Sequence, residues 1–468
     1  MRRLTPILAA LLALPAAARA QPSFRWSVPE RLQGGTVGVA RTVAQAAAAP
    51  PTTIVLATCA RDPAWALDGK DATPRAAGRC DYRLDLGDHR PHTVKLSAGG
   101  ESSEQTVQAR DLVIVSIGDS VASGEGNPDV PSPIAPGWLE TRCHRSMRSG
   151  AAQAAAAVAA GDPHSSVTFL PLACSGATVP EGLLGPYAGV EPDSALGDLP
   201  AQVDQLAELQ RRRPVDAVLL SVGANDVDFG PLAEFCLAVA DCPNRRFDPD
   251  HPLREAPDPA TPTAEAVHAA AQRELPARYD QLAGALTHAG IDPAKVIVVE
   301  YFDPTHDEHG DTCEALLPGI TPVESQWAQD VVLGPLNAAV RDAAQREGWK
   351  LVGGVQAAFL DHGICAPAAL RWVRRIDESL LRGAGVSGPL HPNSAGHLAT
   401  AALIAPVLAD VVGIDPGDAV AQASGAEGNE GSRVAWWWIL VGAAGGAAIA
   451  SGVAFLLFRR ARRTSPAA

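Results

Sequence analysis

Residues 111–129 read DLVIVSIGDSVASGEGNPD, a run of apolar, largely β-branched residues that stops abruptly at Gly118-Asp119-Ser120. A second cluster of small residues, from Ser123 to Gly126, follows directly. β-branched residues that give way to a glycine, an acid and a hydroxyl predict a buried strand followed by a tight turn. We therefore expect the Ser120 hydroxyl to project from the carboxyl end of this strand.

From residue 111 onward, candidate strands alternate with candidate helices. The predicted strands are residues 112–117, 167–171, 217–222, 296–301 and 351–355, and the predicted helices are residues 150–160, 201–212, 263–289 and 329–347. This alternation predicts an α/β fold in which a parallel sheet is covered by helices on both faces. Binding sites in such sheets lie beyond the carboxyl ends of the strands, which is where Ser120 falls.

Residues 21–108 have a different pattern, with short β-rich runs separated by Gly, Pro and Asp turns. The runs are residues 53–58, 81–86, 92–96 and 104–109. They predict a small β-sandwich of the immunoglobulin-like kind, with Cys59 and Cys80 as a plausible internal bridge. We expect this domain to act as a spacer or a weak binding module.

The first twenty residues, 1–20, begin with Arg2 and Arg3, continue with an apolar stretch and end at Ala18-Arg19-Ala20. This order predicts a secretory signal peptide with a small-residue cleavage site. The alternative, a membrane-spanning anchor, is disfavoured because the apolar part is too short.

Residues 434–458 form a second apolar stretch, free of charged residues and long enough to span a bilayer with some tilt. Three tryptophans open it and four arginines follow it: Trp436, Trp437, Trp438, Arg459, Arg460, Arg462 and Arg463. The arginines place residues 459–468 in the cytoplasm, so the body of the chain would face outward. A buried globular helix is the alternative. The Gly/Ala/Ser-rich residues 415–433 predict a flexible linker.

The chain has eight cysteines and a formal net charge of -14. An even number of cysteines in an exported chain predicts four disulfides, although spacing alone permits 105 connectivities. The cysteines are Cys59, Cys80, Cys143, Cys174, Cys236, Cys242, Cys313 and Cys365. The negative charge argues against a nucleic-acid partner.

Three further stretches place polar groups directly after predicted strands or before a helix. Gly176 lies in LACSGATV, Asn225 in LLSVGANDVDF and His391 in GPLHPNSAGH. Each has an ordinary explanation alone, as a turn, a helix cap or a satisfied histidine. Together with Ser120 they provide a nucleophile, a base and oxyanion donors in an ordered series, which chance explains poorly.

The stretches resemble the four blocks of the SGNH, or GDSL-type, hydrolases, and the resemblance covers about residues 111–412. It is closest to the secreted bacterial esterase and lipase branch. The matching motifs are GDSVASGEG, CHRS from Cys143, LACSGA from Leu172, SVGAND from Ser221 and HPNSAGH from His391. The resemblance implies a three-layer α/β/α, flavodoxin-like hydrolase domain over residues 109–414 and no cofactor.

The family further implies that Ser120 is the nucleophile and that His391 is the general base and then the general acid. The implied oxyanion hole consists of the backbone N–H groups of Ser120 and Gly176 and the side chain of Asn225. Many members have an aspartate three residues before the histidine, but this position is Gly388. We expect a Ser-His dyad in which the Gly388 carbonyl orients the ring, although an aspartate from elsewhere is an alternative.

The same branch suggests three disulfides near the site, namely Cys143–Cys174, Cys236–Cys242 and Cys313–Cys365. His397 is expected to brace its loop. Glu125 and Arg145 are hypothesised to line the substrate cleft. The histidine- and acid-rich residues 302–311 match no metal motif, so we predict a solvated loop and no metal.

The sequence thus predicts an exported, membrane-tethered serine esterase for lipid or other acyl esters, with a small-molecule or lipid substrate and its C-terminal helix in the membrane. Deacetylation of cell-wall or extracellular polysaccharide is an alternative. A surface binding protein without activity is another. The oligomeric state is left open.

Overall fold

The computed structural model describes residues 21–29, 37–133, 135–313, 320–382, 384 and 387–415 of the chain. The predicted signal peptide (1–20), transmembrane helix (434–458) and cytoplasmic tail (459–468) lie outside the described residues, as does the predicted linker (415–433) apart from its first residue. The described chain divides into two compact units. One comprises residues 21–29 and 51–110, and the other residues 37–50 and 111–415.

The strands in chain order are β1 (Arg25–Ser27), β2 (Val37–Val39), β3 (Thr53–Ala57), β4 (Ala64–Leu67), β5 (Lys70–Ala72), β6 (Arg75–Ala76), β7 (Asp81–Asp85), β8 (His92–Ala98), β9 (Glu101–Val107), β10 (Arg110–Gly118), β11 (Ser165–Pro171), β12 (Ala217–Ser221), β13 (Val296–Val299) and β14 (Lys350–Val352). The α-helices are α1 (Val43–Ala46), α2 (Ser120–Ser123), α3 (Gly150–Gly161), α4 (Gln202–Arg212), α5 (Phe229–Ala238), α6 (Ala264–His288), α7 (Pro322–Trp327), α8 (Gly334–Glu347), α9 (Val355–Phe359), α10 (Ile376–Arg382) and α11 (Ser394–Val412).

The first unit is the predicted β-sandwich. Its two sheets have the strand orders β1-β3-β7-β6 and β5-β4-β8-β9. Neighbouring strands are antiparallel, and alternate residues such as Ile54 and Leu56 on β3 and Val94 and Leu96 on β8 are fully buried in a shared apolar core. Alternating burial of this kind is the arrangement by which two half-buried sheets share one core.

The second unit is built on a parallel sheet whose described strands have the order β14-β13-β12-β10-β11-β2. Apart from β2, the sequence order across this sheet is the flavodoxin-like order, in which the second strand lies outside the first and the later strands extend the other side. The side on which successive strands are added to the sheet therefore reverses beside β10. A crevice opens at such a switch point, beyond the carboxyl ends of β10 and its neighbours.

Helices cover both faces of this sheet, as predicted. Along β10, Leu112 and Ile114 face one apolar core, which they share with α3 and α11. Val113, Val115 and Ile117 face the other core, shared with α4, α6 and α8. Because both faces are buried, the strand is a nearly continuous apolar run, which explains why the sequence shows no polar alternation there.

The boundary predicted for the β-sandwich, residues 21–108, was wrong for residues 37–50. β2 pairs in parallel with β11, with Val37 opposite Val167 and Val39 opposite Phe169, and α1 follows it. The chain leaves the sandwich after β1, contributes an edge strand to the parallel sheet, and then returns to form β3. A three-residue strand is too short to carry a pattern that identifies its sheet.

Two further elements differ from expectation. The predicted helix over residues 329–347 begins with π-helical turns at Ala328–Leu333, and α8 starts only at Gly334. Pro335 lacks an N–H and cannot bond to Val331 as an α-helix requires, and the Val331 carbonyl oxygen lies 3.2 Å from His268 Nε2. The β4–β5 hairpin was missed because its strands are short, although Asp68-Gly69 is a typical hairpin turn.

Four disulfides join the pairs that the sequence and the resemblance suggested: Cys59–Cys80, Cys143–Cys174, Cys236–Cys242 and Cys313–Cys365. Persistent disulfides indicate an exported or extracellular protein. Within the described residues, α11 is long and apolar enough to cross a membrane, but half of it is buried in this unit, where it packs on α3. A core helix accounts for this composition.

Candidate active site

Ser120 is positioned by the end of β10 and the start of α2. Asp119 caps α2, since its Oδ1 accepts the N–H of Val121 at 3.0 Å. Leu112 to Asp119 are buried, whereas Ser120 is partly exposed. The strand therefore ends by presenting one accessible hydroxyl above a closed core.

Asp119 lies completely out of contact with solvent, and this burial raises the pKa of its carboxyl to about 7. Its Oδ2 accepts a hydrogen bond from the hydroxyl of Tyr301, and that hydroxyl oxygen accepts the N–H of Ala224 at 3.2 Å. The turn that carries Ser120 and the turn that carries Asn225 are thus joined through one buried phenol.

His391 lies beside Ser120, with 2.8 Å between His391 Nε2 and Ser120 Oγ. On the other side of the ring, Nδ1 is 3.1 Å from the carbonyl oxygen of Pro389. A carbonyl can only accept, so Nδ1 carries the proton and Nε2 is left as the acceptor for the serine hydroxyl. This is the tautomer that a general base requires.

The pKa of His391 is lowered from its ordinary value. Removal of the ring from water is the main cause, and it outweighs the opposing influence of the Glu125 carboxylate and of the carbonyls of Pro389 and Ser387. The ring is therefore neutral at neutral pH and able to accept a proton.

The prediction that the Gly388 carbonyl orients His391 was wrong by one residue. The Gly388 carbonyl accepts the backbone N–H of His391 at 3.2 Å, which closes a turn, and Leu390 within that turn has a left-handed φ of 63°. Because the turn uses the Gly388 carbonyl, the next carbonyl, that of Pro389, faces the ring. Gly388 itself is buried against Ser379 on α10.

The remaining predicted groups lie in the turns that follow β11 and β12. Gly176 is exposed with φ of 84°, and a Cβ there would lie 2.2 Å from the Tyr187 hydroxyl, so only glycine fits. Asn225 is partly exposed and its Nδ2 donates to the Ala177 carbonyl at 3.0 Å, which leaves its second amide hydrogen for another acceptor. In the described ranges, the backbone N–H groups of Ser120 and Gly176 donate to no protein acceptor.

Glu125 and Arg145 do not line the cleft, contrary to our hypothesis. Arg145 is buried and donates to the carbonyls of Ala173 and Leu172, both at 2.9 Å, so it supports the loop before Gly176. Glu125 is completely buried and bonds to His144 and Ser175. His144 was not predicted, although its place in the CHRS motif was a usable signal.

His397 braces its loop, as expected. Its Nδ1 accepts the N–H of Gly150 at 3.2 Å and its Nε2 donates to the Glu125 carbonyl at 3.0 Å. Burial lowers its pKa to about 4, so the ring stays neutral and serves as a fixed connection between α11, α3 and the turn after Ser120.

No group of three or more His, Cys, Asp and Glu side chains is placed to hold a metal ion within the described part of the chain. In the loop at residues 302–311, His306 Nδ1 lies 3.7 Å from Asp303 Oδ1, and His306 Nε2 lies 3.3 Å from Gln329 Nε2.

A cleft of about 430 Å³ lies beside Asn225. Its lining is largely polar: Thr178, Pro180, Glu181, Asn225, Asp226, Asp228, Val267, Ala271, Glu274 and Arg278. The Arg278 guanidinium is already paired, to Asp226 at 2.9 Å and to Glu274 at 3.0 Å. The cleft therefore carries an excess of carboxylates.

A flavodoxin-like α/β domain that brings a serine and a histidine together at the switch point of its sheet has the architecture of the SGNH-type esterases and acyltransferases. The model of the GDSL-like lipase/acylhydrolase family matches residues 116–399, more than half of the chain. The chain belongs to this family.

The solved structures that match this chain share little sequence with it and have low TM-scores. A family two carbohydrate esterase from Clostridium thermocellum, solved as an active-site mutant, is 12% identical over 84% of this chain and 99% of its own, with a TM-score of 0.31. A carbohydrate acetylesterase from Xanthomonas citri is 13% identical over 84% and 75%, with a TM-score of 0.28. A salicylyl-acyltransferase from a tetracycline biosynthetic pathway is 13% identical over 77% and 82%, with a TM-score of 0.30. No curated protein matches the chain.

Proposed function

We propose that this protein is an exported serine esterase that hydrolyses carboxylic esters through an acyl-enzyme, with Ser120 as nucleophile and His391 as base. One observation carries the proposal: His391 Nε2 lies 2.8 Å from Ser120 Oγ while Nδ1 faces the Pro389 carbonyl. A serine hydroxyl is activated when a base lies within hydrogen-bond reach of it and a third group orients that base from its other side.

In the first half-reaction, Ser120 Oγ attacks the ester carbonyl as its proton passes to His391 Nε2. The oxyanion is received by the backbone N–H groups of Ser120 and Gly176 and by the amide of Asn225. His391 then gives the proton to the departing alcohol, which leaves an ester between Ser120 and the acyl group. In the second half-reaction, His391 takes a proton from water as the water oxygen attacks this ester, and it returns the proton to Ser120 Oγ as the bond to the acyl group breaks and the acid is released.

The imidazolium that forms during attack meets no carboxylate at Nδ1, because the Pro389 carbonyl occupies that side. A carbonyl dipole fixes the tautomer but stabilises the charge less than a full negative charge does. We therefore propose that catalysis uses a Ser-His dyad in place of a triad.

Two classes of ester fit this site. Lipid or other acyl esters are the first candidate, because the sequence resembles a branch that contains lipases and carries a predicted membrane anchor. O-acetyl groups on cell-wall or extracellular polysaccharide are the second. The polar, carboxylate-rich cleft beside Asn225 favours this second class, since it offers hydrogen-bond acceptors to sugar hydroxyls and a poor surface for a long alkyl chain.

We further propose that the enzyme is anchored by residues 434–458 with its catalytic unit outside the cytoplasm. The composition of that stretch, the arginines that follow it and the disulfides of the described units support this location.

Labelling of the full chain in detergent with a fluorophosphonate tests the nucleophile. We expect one label per chain on Ser120 and none on Ser120→Ala. Absence of label from the wild-type protein would favour the alternative of a binding protein without activity. A panel of p-nitrophenyl esters of increasing chain length, beside acetylated glycans, then separates the substrate classes. Release of acetate alone would assign the second class.

A further inference from the structure

Glu125 lies five residues after Ser120 in the chain, and its carboxylate is completely buried. Its Oε2 accepts hydrogen bonds from His144 Nδ1 at 2.6 Å and from the Ser175 hydroxyl at 2.7 Å. Its Oε1 is buried and has no partner among the described residues. A carboxylate that keeps its charge under these conditions needs a cation at close range.

His144 is that cation. Its Nδ1 faces Glu125, and its Nε2 faces Glu191 Oε1 at 3.0 Å, while its ring stacks on Trp138 with centroids 4.5 Å apart. Carboxylate oxygens on both sides require a proton on each ring nitrogen, so the geometry describes an imidazolium. Burial opposes this charge, but the two carboxylates raise the pKa of His144 above its ordinary value.

Glu125 is connected to both groups of the dyad. Its backbone N–H donates to the Ser120 carbonyl at 3.0 Å. The next residue, Gly126, packs directly on His391, where an added Cβ would lie 3.0 Å from the His391 Cβ. Arg374 joins the two loops, with its Nε donating to the Gly126 carbonyl and its backbone N–H to the His391 carbonyl, both at 2.8 Å.

Glu125 is also connected to the loop that carries Gly176. The Ser175 hydroxyl bonds to Glu125 and lies 3.1 Å from the hydroxyl of Ser123, which donates to the Ser120 carbonyl at 3.0 Å. One buried carboxylate thus fixes the nucleophile turn and the proposed oxyanion loop together.

We propose that Glu125, held as an anion by His144, is a positioning residue whose charge stabilises the His391 imidazolium formed during ester attack. This inference rests on the proposed function. Glu125 supplies the dyad with the negative charge that the Pro389 carbonyl lacks. Glu125 touches neither the substrate nor the reacting atoms.

The charged and titratable groups around His391 are Glu125 and His144 on the nucleophile side, His397 on α11, and Arg374 on the loop that pairs with the histidine turn. Among them only Glu125 is negative. Glu125 raises the pKa of His391 and His144 lowers it, and the influence of Glu125 is the larger of the two. Neutralising Glu125 therefore removes the anion that raises the pKa of His391.

The experiment measures the rate of fluorophosphonate inactivation and kcat/KM for a soluble ester as functions of pH, with the full chain in detergent. In Glu125→Gln the shape is kept and the charge is lost. We expect the acid limb to move to lower pH by about half a unit, because the His391 imidazolium is less stable. We expect the plateau of kcat/KM to fall about tenfold with KM little changed.

Glu191→Gln is the matched control, because it removes the exposed carboxylate at the other end of His144 and leaves Glu125 in place. Its acid limb is expected to stay at the wild-type position. If the acid limb of the Glu125→Gln pH profile stays in place or moves to higher pH, the proposal is overturned, whatever the value of kcat/KM at its plateau.

If Glu125→Gln does not fold, Glu125→Asp replaces it, since the charge is kept but withdrawn by one methylene. The acid limb of the pH profile is then expected to move to lower pH by a smaller amount than in Glu125→Gln. An acid limb that stays in place or moves to higher pH overturns the proposal. Failure of the proposed function would be seen separately, as a wild-type chain that the fluorophosphonate does not label.

Discussion

Tyr301 donates its phenolic hydrogen to the buried carboxyl of Asp119, the residue that precedes Ser120. The same phenolic oxygen accepts a hydrogen bond from the backbone N–H of Ala224, which precedes Asn225. The groups proposed to attack the ester and to receive its oxyanion are therefore set at a fixed separation by a side chain that never reaches the cleft. Positioning of this kind lets catalytic groups act without reorganisation during the reaction.

The raised pKa of Asp119 predicts a pH-dependent contribution to stability. The folded state holds the proton up to about pH 7, whereas the ordinary value is 3.8, so this contribution is present below 3.8 and lost as the pH rises through 7. Asp119→Asn removes it. Thermal unfolding at pH 4.5 and pH 8 should show that the variant gains stability relative to wild type at the higher pH. A stability difference between variant and wild type that is the same at both pH values would contradict this.

The lowered pKa of His391 predicts the shape of the activity profile. A general base must be neutral, so kcat/KM should rise with pH through the His391 pKa and then level off. Because burial of the ring lowers that pKa, the midpoint of the rise should lie below the ordinary value of 6.5. A midpoint clearly above 6.5 would be inconsistent with the neutral ring described here.

Asn225→Ala should lower kcat by about a hundredfold or more while the fold persists, because one oxyanion donor is lost. Unchanged turnover would remove Asn225 from the oxyanion hole. Asn244→Ala serves as a control, since Asn244 is exposed and its amide donates to Asp241.

The Cys143–Cys174 disulfide should support both stability and activity. It closes a separation of 31 residues and ties the loop that carries His144 to the loop that precedes Gly176. Replacing both cysteines with alanine should cost about 3 to 4 kcal/mol in the free energy of unfolding and should also lower kcat.

The Cys59–Cys80 pair is the matched control for that disulfide. It spans 21 residues in the β-sandwich, so its removal should destabilise that unit and leave kcat unchanged. Equal losses of kcat in the two double variants would contradict a role for Cys143–Cys174 at the site.

Deletion of residues 434–468 should release the activity from membranes into the soluble fraction, because the predicted span and its arginines are removed together. Fractionation of cells that express the full or shortened chain measures this. Activity that stays with the membrane after the deletion would refute the anchor.

Much of the site was predictable from sequence because its parts are local. Ser120, Gly176 and Asn225 each follow a buried strand within a few residues, and parallel strands bring their carboxyl ends to one edge of a sheet. The motif around His391 was equally compact. By contrast, the carbonyl that orients His391 was assigned to Gly388 and belongs to Pro389. The direction of a carbonyl depends on the conformation of the turn, which the sequence does not display.

Glu125 and His144 illustrate the same limit. Glu125 was predicted to line the cleft and His144 was not singled out at all, and only the packed structure shows that the two buried side chains face each other. The sequence also did not show to which sheet residues 37–50 belong, since a three-residue strand is assigned to a sheet only by the strand with which it pairs.

The sequence alone determined the α/β class, the family, the strand after which the nucleophile stands and the polar groups that follow its neighbours. These depend on hydrophobic runs and turn residues, which act over a few positions of the chain. Tertiary structure alone decided which carbonyl orients His391, which charges lie behind it and which sheet β2 completes. Those outcomes depend on contacts between distant residues, and such contacts exist only once the core has closed.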